Sequence, residues 1–453
     1  MRNIQTTGTR SGGQAPARGR RRPSAGGPGV VICLAAVVVL LAPARVPVAA
    51  EPPVAESLTL AQAVELAVRD NAELKSLRAK WEAMQERPAQ AGALPNPMFT
   101  YGGMDTLSRI ASPNPDEKRF MVQQEFPWFG KRELRARIAG KDAEAMQPEI
   151  EGMTREVVMR VKESYYDLYA VQRVTAITRE EEAVIRGIVK VVETLYATGE
   201  RAQADVLKAQ TEITMLKQKC LELEAQETTL KAKLNTLLNR RVDSPLGAAV
   251  TPPEAGFDGS TDALFALAAA NRSEIQAAQV QVDRYGLESQ LMAKESMPDY
   301  KLGIEYRDIA ASENMVMLTV SVELPVWRSK YQAGVREAEK MRASSEAARE
   351  AAERQSAFEV QDAHFKLLTA QRTLALYRTE LIPQAQARFS ASEAGYRTGK
   401  VDFVDLLESE RFLLSAKMTA VMTEGAVGMQ AARLERAIGT ALPVNATAEG
   451  GGR

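Results

Sequence analysis

Two copies of one short stretch, 200 residues apart, constrain the fold of this chain more than any other feature. The first copy runs from Leu195 to Lys208 (LYATGERAQADVLK) and the second from Gly395 to Glu408 (GYRTGKVDFVDLLE). A helical pattern runs into Tyr-x-Thr-Gly and resumes at the aspartate, so the glycine is expected to adopt a positive φ where one helix ends. The stretch is therefore predicted to be the tip of a helical hairpin that occurs twice.

The remainder of the chain repeats with nearly the same offset. Helical periodicity covers residues 58–85 and begins again at Asp262, and both copies change to a strand pattern at a proline, Pro97 and Pro298. The strand pattern predicts strands at 98–104, 119–126, 300–306 and 315–324, and the helical pattern predicts long helices at 131–197, 203–238, 330–397 and 404–438. At 1.5 Å per residue the longer helices reach about 100 Å. Pro148 and Pro383 are expected to kink or interrupt them.

The first 50 residues have the pattern of an export signal. They contain seven arginines and no acid, followed by an apolar run from Val30 to Leu41 and small residues up to Ala50. Twelve apolar residues are short for a membrane span, which favours cleavage after Ala50. Cys33 follows Ile32 instead of the small residue that a lipidation signal requires, so a lipidated amino terminus is not predicted. Cys220 is then the only cysteine of the mature chain and is expected to be a buried small hydrophobe.

These patterns divide the chain into five segments. They are a signal peptide at 1–50, a first repeat at 51–240, a linker at 241–260, a second repeat at 261–441 and a disordered tail at 442–453. Without the seven arginines of the signal, 51 of the 58 basic residues remain against 58 acidic ones, which argues against nucleic acid as a partner.

The sequence predicts no enzyme, cofactor or metal site. It contains no phosphate-binding glycine loop and no nucleophile motif. His364 is the only histidine and has no cysteine near it. Four methionines could ligate a soft metal ion, but packing explains them better: Met292, Met297, Met315 and Met317.

Each pair of predicted strands ends at a proline with aromatic residues beside it. The exits are Glu125-Phe126-Pro127-Trp128-Phe129 and Glu323-Leu324-Pro325-Val326-Trp327, and the aromatics Trp128, Phe129 and Trp327 are typical of a membrane interface. Four strands cannot close a barrel, and an open edge in lipid leaves backbone groups unsatisfied. A membrane sheet would therefore need oligomerisation, with eight strands in a dimer or twelve in a trimer.

The duplicated unit, the Tyr-x-Thr-Gly tips and the two proline exits resemble the TolC family of outer-membrane efflux proteins over the whole mature chain. The resemblance implies a mainly α fold with a small β-barrel portion. Three copies would form a 12-stranded β-barrel in the outer membrane and a long α-helical tunnel through the periplasm. It implies as partners a periplasmic membrane-fusion adaptor and an inner-membrane pump of the proton-driven or ABC class.

The same resemblance assigns roles to residues at the tips. It implies that Asp405 and Glu408 form a pore constriction, with six acids in three chains, and a ring of acids favours cations. Tyr396 matches a position that holds the closed state, but the basic partner of that family network falls on Val401, and the residues considered as substitutes are Arg397, Lys400 and Arg411. The tip positions Tyr196, Gly199, Tyr396 and Gly399 are expected at the aperture latch and the adaptor contact. Two structural alternatives stand beside these roles: the glycines can be helix caps only, and Asp405 can serve only the start of its helix, as Asp205 does in the first copy.

The predicted function is a passive outer-membrane exit duct of a tripartite efflux system, exporting small solutes such as drugs or heavy-metal cations. The segment Phe129-Gly130-Lys131-Arg132 resembles the metal-efflux branch of the family. One alternative with the same fold is the outer-membrane component of type I protein secretion. An alternative of another class is a soluble periplasmic coiled-coil adaptor or scaffold.

Overall fold

The computed structural model describes residues 57–104, 116–252, 257, 260–310 and 313–442. The predicted signal peptide, and the predicted tail beyond Leu442, lie outside the described residues. Leu442 itself is packed, because its backbone N–H donates to Glu435 and its side chain contacts an apolar cluster.

The first copy contains short helices, two strands and two long helices. Their bounds are β1 (Ser57–Leu58), α1 (Leu60–Asp70), α2 (Ala72–Gln85), α3 (Arg87–Gly92), β2 (Met98–Met104), β3 (Glu117–Phe126), α4 (Lys131–Ala197) and α5 (Gln203–Leu237). The helix predicted over 58–85 is divided at Asn71, whose side chain accepts hydrogen bonds from the backbone N–H groups of Glu73 and Leu74 and so caps α2.

The second copy repeats this order after a short connection. It contains β4 (Ala248–Ala249), α6 (Thr261–Asn271), α7 (Ser273–Glu295), β5 (Tyr300–Ile309), β6 (Met315–Val322), α8 (Arg328–Leu376), a π turn (Tyr377–Leu381), α9 (Ile382–Arg397) and α10 (Phe403–Ile438). Within the predicted linker at 241–260, β4 pairs in parallel with β1. The hydroxyl of Tyr165 on α4 lies within hydrogen-bond distance of two carbonyl oxygens beside this pairing, 2.8 Å from that of Leu58 and 2.7 Å from that of Val250. The connection between the copies is thus bound to the first copy.

The two strand pairs form one antiparallel sheet in the order β2-β3-β5-β6. The sheet therefore joins the copies through β3 and β5, and leaves β2 and β6 as its edges. One face presents apolar side chains in register, with Tyr101 opposite Phe120 and Phe120 opposite Tyr306. Several of them are exposed in the single chain: Phe99, Tyr101, Val122, Ile304, Val316, Leu318 and Val320.

The opposite face of the sheet combines polar residues with methionines and carries an ion-pair network. The carboxylate of Glu305 lies 3.2 Å from the Nε of Arg119 and 2.5 Å from the Nε of Arg307. Glu117 lies within 4 Å of both arginines. The sheet thus has one face suited to lipid and one suited to water.

The four long helical segments follow the sheet and pack side by side. Contacts run from α4 to α5, α7 and α10, and from α8 to α7 and α10. Of the kink or interruption predicted at Pro148, the interruption is wrong, because α4 is continuous through that residue; packing on neighbouring helices outweighs one missing backbone hydrogen bond. Before Pro383 the helix widens into the π turn. This wider turn accommodates the proline ring, which would clash with the preceding turn of an α-helix. No helix in the described ranges is both long enough and apolar enough to span a bilayer.

Candidate functional site at the hairpin tips

The two hairpin tips have the same backbone geometry. Gly199 and Gly399 have φ of +78° and +77°, the left-handed region expected from the sequence. At each tip the residue after the glycine donates its backbone N–H to the carbonyl five residues earlier, from Glu200 to Leu195 and from Lys400 to Gly395. These bonds satisfy carbonyls that the helix end leaves free.

The helices that leave the tips begin differently. Asp402 caps α10 by accepting a hydrogen bond from the backbone N–H of Asp405 at 2.9 Å. In the first copy the equivalent cap position is Ala202, which offers no side-chain acceptor. Asp402 therefore takes the capping role, and within the described ranges the side chain of Asp405, on the first turn of α10, forms no ion pair.

The predicted constriction residues Asp405 and Glu408 lie on one exposed face of α10. Within the described residues neither carboxylate forms an ion pair. In the first copy Asp205 lies 3.6 Å from Lys208, the residue that corresponds to Glu408. The first copy thus offsets its acid with a lysine three residues later, whereas the second copy presents two unpaired acids.

Tyr396 is buried between the tips and is contacted by a residue that sequence reasoning missed. Its ring is 1% exposed and packs against Phe403, with 5.5 Å between ring centroids. The guanidinium carbon of Arg201 lies 4.5 Å from the centroid of the same ring. Arg201 also donates to the backbone carbonyl of Tyr396 at 2.9 Å and to that of Val401 at 3.5 Å.

Arg201 provides the basic contact to Tyr396 that the second copy lacks at Val401. Two of the three substitutes that the sequence suggests for this contact pair with other residues. Arg397 pairs with Glu393 on its own helix, and Arg411 pairs with Glu212 on α5; among the described residues Lys400 forms no ion pair. The signal that could have identified Arg201 was the repeat itself, because Arg201 and Val401 are equivalent under the 200-residue offset.

The two tip tyrosines differ in their surroundings. Tyr196 is exposed, whereas Tyr396 is buried. The hydroxyl of Tyr396 makes no hydrogen bond within the described residues. Arg201 therefore contacts Tyr396 through its ring and its backbone carbonyl. Burial raises the pKa of Tyr396, the negative charge of Asp205 raises it further, and Arg201 opposes both.

The aromatic residues at the strand exits lie at the sheet end of the chain. Phe129 and Trp327 are both 73% exposed, and Trp128 is half-buried with its ring edge-on to Phe129. Asp299, on the loop before β5, accepts a hydrogen bond from the backbone N–H of Trp128 at 2.6 Å. This contact fixes the exit of the first strand pair to the second copy.

Within the described parts of the chain, no group of three His, Cys, Asp or Glu residues could hold a metal ion. His364 packs edge-on against Phe257, and its Nδ1 lies 3.2 Å from the hydroxyl of Thr261. Burial lowers the pKa of His364 and raises that of the Cys220 thiol. Cys220 is a free, buried cysteine, as predicted. Both residues have the surroundings of core side chains.

Comparison with known proteins gives one family and a consistent fold. The family described as outer membrane efflux protein matches residues 63–240 and 264–440, one segment in each copy. The cobalt-zinc-cadmium resistance protein CzcC of Cupriavidus metallidurans is 24% identical over 397 residues, which cover 84% of this chain and 90% of CzcC.

Solved structures with this fold include two outer-membrane proteins. VceC of Vibrio cholerae has a TM-score of 0.70 at 17% identity, covering 85% of this chain and 97% of VceC. The open state of the MtrE outer membrane channel of Neisseria gonorrhoeae has a TM-score of 0.70 at 15% identity, covering 84% of this chain and 89% of MtrE.

Proposed function

Because the chain belongs to the outer membrane efflux protein family, we propose that Asp405 and Glu408 form the cation-selective constriction of its channel. The protein is an outer-membrane efflux channel with a periplasmic extension, the exit duct of a tripartite system. Channel proteins of this family are not enzymes, and the soluble adaptor considered from the sequence does not fit the family.

The proposed assembly is a homotrimer. The sheet of one chain has free edges at β2 and β6 and an exposed apolar face. In lipid each unsatisfied backbone group at such an edge costs several kcal/mol, and pairing β6 of one copy with β2 of the next removes both edges. Three copies close twelve strands, with outer-membrane lipid against the apolar face and Trp128, Phe129 and Trp327 at its boundary.

The unequal charge of the two tips is the observation that supports the proposed constriction. Asp405 and Glu408 are exposed, share one helix face and form no ion pair among the described residues, whereas Asp205 is paired with Lys208. Three chains would place six carboxylates around one axis, where they attract cations and repel each other. Mutual repulsion then opposes tight closure, so closure needs contacts elsewhere at the tips.

Arg201 and Tyr396 are the proposed closing contact. Arg201 belongs to the first tip, and its side chain is bonded to two carbonyls of the second. While this contact persists, the start of α10 is held against the first tip. Its loss would free α10, with its two acids, to move outwards.

Heavy-metal cations are the proposed cargo. CzcC, which this chain resembles over 84% of its length, is named for resistance to cobalt, zinc and cadmium. A constriction of carboxylates suits divalent cations, and this relative favours small solutes over the secreted protein of the type I alternative.

The exposed tips around Gly199 and Gly399 are the proposed contact for a periplasmic adaptor, which would connect the channel to an inner-membrane pump of the proton-driven or ABC class. A groove between α4 and α9 lies beside the tips and is lined by Gly187, Phe389 and Leu406. A photo-crosslinking residue at Glu200 should capture the adaptor, whereas one at the exposed Lys340 on α8 should not. Equal capture at both positions would contradict a tip contact.

The constriction is tested by reversal potentials of the purified protein in planar bilayers under a potassium chloride gradient. Asp405→Asn with Glu408→Gln should shift the reversal potential towards anions, because it removes six charges from three chains. Asp205→Asn, the matched change in the first copy, should leave it unchanged. Separation of the two membranes and light scattering in detergent should find a trimer in the outer-membrane fraction. Unchanged selectivity in the double variant would rule out the constriction, and a monomer would rule out the assembly.

A further inference from the structure

Three carboxylates are buried where α4, α5 and α10 meet near the tips. Glu181 on α4, Glu212 on α5 and Glu410 on α10 are 6%, 5% and 1% exposed. Among the described residues Arg411 is the cation that pairs with this group: it contacts Glu212 through its Nε, 3.1 Å from each carboxylate oxygen, and through a guanidinium amino group. Within the same residues Glu181 and Glu410 form no ion pair, although the charge of Arg411 acts on Glu410.

Glu410 lies on the opposite side of α10 from the exposed acids. At about 100° per residue, it points away from Asp405 and Glu408 and towards α4. The helices around it pack through an apolar cluster that includes Ile185, Leu216 and Leu414. A carboxylate in such surroundings is costly unless it is paired or protonated.

The contacts of Glu410 require a proton. Its Oε1 is buried, and no donor from the described part of the chain reaches it. The carboxyl of Glu181 faces it, and a hydrogen bond between the two carboxyls is one cause of the raised pKa of Glu410. Two ionised carboxylates cannot hydrogen-bond to each other, whereas a pair that holds one proton contains one donor and one acceptor.

We propose that Glu181 and Glu410 form a proton-binding site that holds α10 against α4 while the proton is bound. The charged groups that face Glu410 are Glu181 from α4, Glu212 from α5 and Arg411 from α10 itself. Burial, followed by the hydrogen bond and the charge of Glu181, raises the pKa of Glu410 to about 9. The proton is therefore held throughout the neutral range.

Release of this proton would favour an open aperture, an effect that rests on the proposed function of the tips. Two carboxylates left in contact repel each other and attract water, and both effects separate α10 from α4. Because Asp405 and Glu408 begin the same helix, that separation widens the constriction. Each chain would release up to one proton on opening, so the open-to-closed ratio would rise up to about tenfold per pH unit for each proton released.

The proton itself can be detected without any channel activity. Infrared spectra of the detergent-solubilised trimer at pH 7.5 should contain the carbonyl stretch of a protonated carboxylic acid. Glu410→Gln should remove this band, and Glu408→Gln, which alters the exposed neighbour, should retain it. Persistence of the band in Glu410→Gln would overturn the proposal.

Thermal unfolding provides a second readout. The pKa of Glu410 is raised in the folded state, so its contribution to stability is fully present below the unfolded pKa, near 4.5, and is lost as the pH rises towards 9. The melting temperature of the wild type should therefore fall between pH 5 and pH 9 relative to that of Glu410→Gln, and the two should converge at pH 5. A parallel pH dependence of the melting temperature in the wild type and Glu410→Gln would overturn the proposed proton-binding site. If Glu410→Gln does not assemble, Glu181→Gln replaces it, because its amide donates to an ionised Glu410 and should flatten the same curve.

Single-channel recording tests the coupling. Open probability of the wild type should increase from pH 6 to pH 9, and Glu410→Gln should remove most of that increase. An identical increase in the variant would overturn the link to opening. The infrared band and the melting curves would still report the proton site, so failure of the aperture function is distinguishable from failure of the site.

Discussion

Arg201 lies over the ring of Tyr396, with 4.5 Å between the guanidinium carbon and the ring centroid, and donates to the backbone carbonyl of the same residue. The contact joins residues 195 positions apart, each at the tip of one copy. At equivalent positions of the tips, Arg201 corresponds to Val401 and Lys208 to Glu408, and Tyr196 is exposed whereas Tyr396 is buried. Duplication thus gives the architecture, and these differences give the second tip its two exposed acids and the first tip the arginine that contacts the second.

Arg201→Ala should open the aperture. A hydrogen bond from a charged donor contributes about 1.5–3 kcal/mol and a partly exposed cation–π contact about 0.5–1 kcal/mol. If closure depends on both, the open-to-closed ratio should rise by a factor on the order of ten or more. Single-channel recording at fixed pH measures this ratio directly.

Arg397→Ala is the matched control for that experiment. Arg397 belongs to the second tip but pairs with Glu393 on its own helix, and both side chains are exposed. Its removal should leave the open probability unchanged. Equal effects of the two arginine variants would show that general loss of positive charge at the tips, and not the contact with Tyr396, controls opening.

Variants of Asp402 and Asp405 should distinguish a structural role for Asp402 from a pore role for Asp405. Asp402→Ala removes the N-cap of α10 and should destabilise the protein by about 1 kcal/mol. Asp405→Ala keeps the cap, so it should change the thermal unfolding temperature less and the ion selectivity more. Differential scanning fluorimetry and reversal potentials of both variants measure the two effects. A larger stability loss in Asp405→Ala would assign Asp405 to the helix start.

Local signals predicted most of the elements but not the contacts between them. The bounds of α4 agree with the sequence at Lys131 and Ala197, because a strand exit and a tip glycine mark its ends. Pro148 and Pro383 give the same prediction from sequence, but α4 continues through Pro148 whereas a π turn precedes Pro383. The sequence next to each proline does not determine how the helices pack around it. The contacts of Arg201 with Tyr396 and of Glu181 with Glu410 depend on how the hairpins pack, and no local pattern contains that information.

Lys131 should be important for stability where the strands meet the helices. Its side chain is buried and its Nζ lies 2.9 Å from the carboxylate of Asp299, 3.4 Å from that of Glu295 and 3.0 Å from the carbonyl of Met297. Lys131→Met leaves the partly buried Asp299 without its cation, which costs about 3–5 kcal/mol. Glu295 keeps its pair with Arg135. Arg137→Met, a basic residue further along α4, should cost much less. Chemical denaturation of both variants would settle the comparison, and equal losses would contradict a special role for Lys131.

Acid should weaken the ion-pair network that joins the second-copy helices α7, α8 and α10. Arg272 is buried at the start of α7, pairs with Glu274 and Glu359, and donates to the carbonyl of Ala437 on α10. Arg436 lies 3.1 Å from the carboxylate of Glu359. Burial alone would raise the pKa values of Glu274 and Glu359, but side-chain hydrogen bonds, including those from Arg272, together with its positive charge, lower them.

The sign of this effect follows from the direction of the shifts. A carboxyl with a lowered pKa stabilises the folded state at pH values above its unfolded pKa, near 4.5, and that stabilisation is lost as the pH falls through the folded pKa. Glu359→Gln should therefore be less stable than the wild type at pH 7 and lose less stability between pH 5 and pH 3. Glu350→Gln on the same helix removes an exposed pair with Arg354 and should follow the wild-type curve. The same acid dependence in Glu359→Gln and the wild type would exclude Glu359 from the groups that determine acid stability.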